Sequence, residues 1–169
     1  PISFKERRVY LKKLFKNYID TFHFNTIESK KIIENFFDLN KKKILISPVS
    51  SLEQTSFQKK LLKFKELKIL KVALPGNYTF NKGIENVIEI IELSKKDKIF
   101  FTFIGNIDSN YFKLLKKNKK VSFKKVNSPQ EMYKELEQNH ISLHLSIWPE
   151  TYCLTVLEAK LASTIPIVT

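Results

Sequence analysis

Cysteine is nearly absent from this 169-residue chain: Cys153 stands alone, so neither an internal disulfide nor a thiolate zinc framework can form, and a reducing, cytoplasmic setting is expected. Long hydrophobic runs are missing too. The densest, Ile99 to Ile104, has the length of a strand and falls far short of the ~20 residues that a membrane-spanning helix needs. Arginine is reduced to Arg7 and Arg8 among thirty basic residues. The net charge of +13 invites a nucleic-acid partner, but the arginine fork is the preferred reader of bases and phosphates, and scattered lysine is also what a solvated surface looks like. No nucleic-acid partner is expected. Neither Gly-x-Gly-x-x-Gly after a first strand nor Gly-x4-Gly-Lys-Ser/Thr occurs, which removes a nicotinamide-dependent dehydrogenase and a P-loop enzyme. The only methionine is Met132 and the chain opens at Pro1 with no signal-peptide pattern, so a fragment of a longer protein is expected.

What is present describes a folded domain. Hydrophobic residues make up 43% and charged residues 28%, and a chain of this length buries about 70% of its unfolded surface. The positive charge is uneven: residues 1 to 71 hold seventeen basic against seven acidic residues, the remainder thirteen against ten. The basic first segment is therefore expected to face anionic headgroups at the inner surface of a membrane, or a phosphorylated acceptor.

Residues 4 to 17 predict a charged helix with Val9, Leu11, Leu14 and Phe15 as its apolar positions. A strand over Thr21 to Phe24, a helix from an N-cap at Thr26 through Phe37, and a buried strand over Lys43 to Ser47 stopped by Pro48 follow. The polar stretch 51–67, with a helix inside it, reads as a connector. From Lys68 strands and helices alternate. Strands are predicted over 68–74, 98–104, 121–126, 141–147 and 165–168, with helices over 82–93, 110–117, 129–138 and 151–162 between them. Ile84, Val87, Ile88 and Ile91 mark the sheet-facing stripe of the first of these helices. This pattern predicts an α/β fold, a Rossmann-like parallel sheet with helices on both faces.

Glycine occurs only at Gly76, Gly83 and Gly105, two of them just after predicted strands and one at a helix start. Carboxyl ends of strands are where doubly wound sheets bind ligands, although each glycine alone is also explained by a tight turn. The stretch from Ser146 to Ala159 runs from a strand end into a helix and carries Glu150 and Glu158 eight residues apart, about two turns or ~12 Å along a helix. The helix's first N–H groups between these carboxylates make an anion site. The plainer alternatives are a solvated N-terminal charge at Glu150 and a lysine salt bridge at Glu158. Cys153 with His140 or His144 as base is a weaker nucleophile reading. His23, His140 and His144 do not form a metal set, because the Ile141 segment reads as strand.

Glu150-x7-Glu158, followed by Ala159 and Ile165-Pro166-Ile167-Val168, resembles the donor-binding signature of glycosyltransferase family 4, the group 1 glycosyltransferases of GT-B fold. The resemblance covers roughly residues 69 to 169. Leu74-Pro75-Gly76 and Lys82-Gly83 occupy the place of the family's diphosphate loop, and Phe103-Ile104-Gly105 matches its second strand end. The resemblance implies that residues 1–50 are the end of an N-terminal GT-B domain and that 68–169 are a nucleotide-sugar-binding domain truncated at its C-terminus. It implies donor contacts from Gly76, Lys82, Gly83, Gly105, the backbone at Tyr152, Cys153 and Leu154, and Glu158, the last on the ribose, with Glu150 as the catalytic residue at the hexose. It further implies retaining transfer from a nucleotide-diphosphate sugar to a glycan or lipid-linked acceptor in surface polysaccharide synthesis, without metal or other cofactor. No Asp-x-Asp motif stands in the chain to support the metal-dependent GT-A alternative. The acceptor-side catalytic residues would lie outside the chain, so this piece alone is expected to be inactive. Three positions depart from the pattern: Asn77 where a basic residue is usual, Thr151-Tyr152-Cys153 in place of Gly-x-Gly, and Thr164 in place of glycine. The alternative function is a non-catalytic α/β nucleotide-binding or scaffold module with a basic, membrane- or nucleic-acid-associating face.

Overall fold

The computed structural model describes residues 3–47, 67–150 and 152–169. The expected connector and its helix fall almost wholly outside these residues, as do Pro48 and Thr151. The chain divides into two units, residues 1–53 and 54–169.

In the first unit, Ser3 starts helix α1 (Phe4–Asn17) through a capping box: its hydroxyl accepts from the Glu6 N–H while the Glu6 carboxylate accepts from the Ser3 N–H. Strand β1 (Thr21–Phe24) follows, then helix α2 (Ile27–Glu34), capped reciprocally by Thr26 and Ser29, and strand β2 (Lys43–Ile46). β1 and β2 pair in parallel, Thr21 opposite Lys43 and Phe24 opposite Ile46. Phe15 binds this small unit together by packing its ring against Phe22 and Phe37. Three expectations change here. Val9 is 63% exposed and lies off the packed stripe of α1. α2 ends at Glu34 instead of Phe37. β2, expected to be buried, leaves Leu45 and Ile46 exposed on opposite faces of the strand, because among the described residues neither face is fully covered there.

The second unit is a five-stranded parallel sheet. Its elements are β3 (Leu70–Pro75), α3 (Ile84–Leu93), β4 (Ile99–Ile104), α4 (Ser109–Leu115), β5 (Val121–Lys124), α5 (Pro129–Glu137), β6 (Ile141–His144), α6 (Leu154–Leu161) and β7 (Ile165–Val168). The order is β5-β4-β3-β6-β7, with Val72 registered on Phe101 of β4 and on Ile141 of β6. Strand alternation divides the side chains between two cores. Val72, Leu74, Phe101, Phe103, Ile141 and Leu143 pack with Ile84, Val87 and Ile91 of α3 and Leu115 of α4. On the other face Ala73 and Ile104 meet Leu136 of α5, Ala159 of α6 and Ala162 at its C-cap. The small alanines on this second face let the helices approach closely. The predicted stripe of α3 is thus the sheet-facing one. Most boundaries differ by one to three residues: β6 ends at His144 and α6 starts at Leu154, because the intervening residues leave the ladder to form the site loop. Thr164 is 2% exposed, and its hydroxyl donates to the Leu136 carbonyl at 2.7 Å, which satisfies the polar group that replaces glycine.

Candidate functional site

Strand order reverses its direction of growth between β3 and β6, so the loops leaving these neighbours diverge and open a crevice at their carboxyl ends. The loop after β3 ends in a single 3-10 turn, Phe80–Lys82, and then Gly83, whose φ is 69°. A Cβ at Gly83 would stand 1.8 Å from the Leu145 carbonyl oxygen, so only glycine lets this turn lie on the exit of β6. The Ile147 N–H donates to the Asn81 carbonyl at 3.1 Å and ties the same two loops. That close approach brings Lys82 to Glu150. Gly105 (φ 123°) in turn lies against the Gly76 carbonyl oxygen, 2.5 Å from where its Cβ would be, and Asn106 Nδ2 donates to Asn77 Oδ1 at 3.1 Å. The departure at Asn77 therefore serves to join the loops after β3 and β4.

Lys82 Nζ donates to Glu150 Oε1 in an ion pair, and Ser146 Oγ donates to the same oxygen at 2.7 Å. Burial alone would raise the Glu150 carboxyl, but the hydrogen bonds from Lys82 and Ser146, together with the nearby positive charge, hold it below the usual carboxylate range. Beneath this pair lies His144, 9% exposed on β6. Its Nε2 stands 2.9 Å from Ser142 Oγ and its Nδ1 3.2 Å from Thr155 Oγ1. Burial and then the Lys82 charge push the imidazole down to about 4, with Glu150 pulling the other way, so His144 is neutral at physiological pH. Cys153 Sγ is 4.0 Å from Nδ1 and 3.3 Å from Thr155 Oγ1, and the nearer threonine hydroxyl competes for the same nitrogen. The thiol belongs to a hydrogen-bonded cluster and has no exclusive base.

Glu158 lies apart from this group, one turn into α6. Burial raises its carboxyl above the ordinary range. Among the described residues no lysine forms an ion pair with it, so the salt bridge that competed for Glu158 is not there, and Tyr133 of α5 is the side chain that its charge reaches; the lysine partner is found at Glu150 instead. The eight-residue spacing does not measure two helical turns, because only Leu154 onward is helical and residues 146–153 form a loop. Gly76 faces the first turn of α6, where Thr155 Cγ2 would be 3.6 Å from its Cβ. Tyr152 is half-buried and Leu154 is exposed; in the first turn of α6 the Val156 N–H donates to the Cys153 carbonyl at 3.1 Å, which leaves the N–H groups of Leu154 and Thr155 for a ligand. A cleft of about 460 Å³ opens here, lined among others by His144, Ser146, Trp148, Glu150, Cys153 and Val156. A hollow of about 710 Å³ in the first unit is larger, but lysines, phenylalanines and a lone acid, Asp38, border it. The paired Lys82 and Glu150 decide for the smaller one.

Residues 53–169 match the family described as glycosyl transferases group 1. The chain belongs to that family. No curated protein sequence matches it. Solved structures of similar fold include the pneumococcal O-GlcNAc transferase GtfA in complex with UDP and GlcNAc, at TM-score 0.71 and 19% identity over 95% of this chain and 32% of that one. TarM aligns at TM-score 0.72 and 21% identity over 97% of this chain and 32% of that one. Anabaena HepE, in complex with UDP and glucose, aligns at TM-score 0.68 and 13% identity over 99% and 48%. The chain thus spans a third to a half of the length of these proteins. As a group 1 glycosyl transferase it carries the Rossmann-like sheet of a GT-B donor domain.

Sequence reasoning had passed over three contributors in this glycosyl transferase: Ser146, which shares Glu150 with Lys82; Thr155, which links α6 to His144; and Tyr78, whose hydroxyl donates to the Leu143 carbonyl at 2.8 Å and anchors the loop after β3 to β6. A buried tyrosine two residues past a strand-end glycine was the available signal for the last. Among the described residues no group of three or more histidine, cysteine, aspartate or glutamate side chains is placed to hold a metal ion, and no helix is long and apolar enough to cross a membrane.

Proposed function

We propose that the second unit is the donor-binding part of a retaining glycosyltransferase that takes a nucleotide-diphosphate sugar and passes its hexose to a glycan or lipid-linked acceptor in surface polysaccharide synthesis. In this reading residues 1–50 end the acceptor-side domain. The observation that carries it is the Lys82–Glu150 pair at the mouth of the β3/β6 crevice, in front of the α6 N-terminus. An ammonium and the N–H groups of Leu154 and Thr155 at the start of α6 suit a diphosphate, and they would offset the charge that grows on the leaving group as the glycosidic bond breaks. When the diphosphate takes Lys82, Glu150 is released from its partner to accept from sugar hydroxyls near the reacting carbon, with Ser146 keeping it in place. Glu158, desolvated and without an ion-pair partner among the described residues, gains most from a ligand that donates hydrogen bonds, as ribose hydroxyls do. The GtfA and HepE complexes, which hold UDP, support a nucleotide donor. None of these roles calls for a metal ion.

Calorimetry with a nucleoside diphosphate tests this assignment on the full chain. Glu158→Gln keeps the shape but removes the charge that accepts two hydroxyls, and affinity is expected to fall about tenfold. Lys82→Ala is expected to weaken the diphosphate more than the bare nucleoside. Unchanged affinity in Glu158→Gln would remove the ribose role, and equal losses for both ligands would make Lys82 structural.

A further inference from the structure

The opposite pole of the second unit carries different chemistry. All five strands run toward the crevice, so residues 94–98, entering β4, and 116–120, entering β5, lie at the far end, about 20 Å away along a six-residue strand. These two turns are in contact: Lys120 Nζ donates to the carbonyls of Ser94 at 3.0 Å, Lys95 at 2.6 Å and Asp97. Residues 92–98 and 113–120 hold eight lysines against Glu92 and Asp97. Lys120 is consumed in capping these carbonyls, and Lys95 pairs with Glu92. The ammonium groups of Lys96, Lys98, Lys116, Lys117 and Lys119 are exposed and carry no hydrogen bond or ion pair among the described residues. Two aliphatic side chains stand beside them. Leu93 ends α3 at 78% exposure, and Leu114 lies in the last turn of α4 at 65%. Lysines near helix C-termini offset the macrodipole, but that gives no reason for exposed leucines.

We propose that this pole seats the protein on an anionic lipid surface, with the free lysines over the headgroups and Leu93 and Leu114 entering the interface. A cluster of cationic groups around protruding aliphatic side chains matches both layers of such a surface, the charged headgroups and the apolar boundary beneath. Flexible lysine stems keep their charge in water while their methylenes lie along the apolar layer. No arginine, the residue suited to bidentate reading of nucleic acid, stands in either turn. The surface is separate from the basic first segment, where charge counting alone had put lipid contact, and the proposal does not depend on the donor assignment.

Co-sedimentation of the full chain with vesicles of phosphatidylcholine and phosphatidylglycerol, against pure phosphatidylcholine, tests it. Binding is expected to the anionic vesicles only and to fall with salt. Each lysine near such a surface contributes roughly fivefold, so Lys116→Gln/Lys117→Gln/Lys119→Gln should weaken partitioning by more than ~10-fold. Leu114→Ser should weaken it severalfold, while Lys12→Gln/Lys13→Gln/Lys16→Gln in α1 should leave it intact. All these positions are exposed or at a helix end, and circular dichroism checks that each variant folds. The proposal is overturned if wild type ignores anionic vesicles, if the α1 variant loses binding while the pole variant keeps it, or if a duplex oligonucleotide binds more tightly than the vesicles at equal salt. Nucleoside diphosphate affinity of the pole variant should match wild type, which separates failure here from failure of the donor assignment.

Discussion

The two units are built from the same kinds of pieces, parallel strands joined by helices, yet they hold their apolar residues in opposite ways. In the first, α1 has no buried residue and β2 exposes Leu45 and Ile46, so Phe15, Phe22 and Phe37 form a cluster with a thin cover. In the second, every strand from β3 to β6 is flanked by helices, and Phe101, Phe103, Ile84 and Ile91 are sealed. Apolar pattern sets which face a residue takes; a layer on that face sets whether it is buried. The site lies in the second unit because holding Lys82 against Glu150 requires loops fixed by a rigid sheet.

Core truncation should widen that contrast most. Phe103 is 1% exposed, stacks on Phe123 and meets the edge of Tyr78, so Phe103→Ala should cost ~4 kcal/mol of the second unit's stability. Phe15→Ala, at a half-buried position, should cost ~1.5 kcal/mol at most. Native-state hydrogen exchange resolves the units separately: faster exchange in β3–β6 for the first variant, with β1–β2 unchanged, is the expected result. Equal costs would mean that the first unit is better packed than its exposures show. Gly83→Ala comes next, at ~3 kcal/mol, since it combines a left-handed backbone with a collision against the Leu145 carbonyl. Its distinguishing sign is that diphosphate binding falls together with stability.

His144 sharpens the comparison through pH. Its folded value of about 4 lies below the ordinary 6.5, so the unfolded chain binds a proton first as pH falls. Stability tied to the neutral imidazole is fully present above pH 6.5 and is lost as pH falls toward 4, by at most ~3 kcal/mol. Denaturant melts of wild type and His144→Gln between these limits measure this: the second unit's acid limb should flatten in the variant.

The element order and the α3 stripe were legible because apolar periodicity and helix caps are local signals, written at Thr26 and in the Ile84 series. Gly76, Lys82, Gly83, Glu150 and Glu158 could be named as candidates from spacing and family resemblance. Their partners were not. Whether a lysine meets Glu150 or Glu158 depends on the path of the 146–153 loop, and that path follows from a contact between Gly83 and Leu145 that is 62 residues long-range in sequence, beyond any local pattern. The exposure of Val9 and β2 was hidden for a related reason: periodicity shows a face, and the cover over it comes from elsewhere in the fold.

Tyr78→Phe makes the smallest and most discriminating change. The ring stays in place between Phe103 and the sheet, and only the hydroxyl that donates to the Leu143 carbonyl is lost. Burial pushes this phenol far above its usual range, with Cys153 adding to the effect, so it acts as a donor at every accessible pH. Loss of one buried hydrogen bond should cost about 1 kcal/mol, within what a fully layered unit tolerates. If the bond also holds the loop after β3, nucleoside diphosphate affinity should fall more than stability alone requires, while bare nucleoside is unaffected. Equal small losses for both ligands would leave Gly83 and Asn81 as the sufficient anchors of Lys82, and would move the rigidity of the site from the tyrosine to the backbone contact itself.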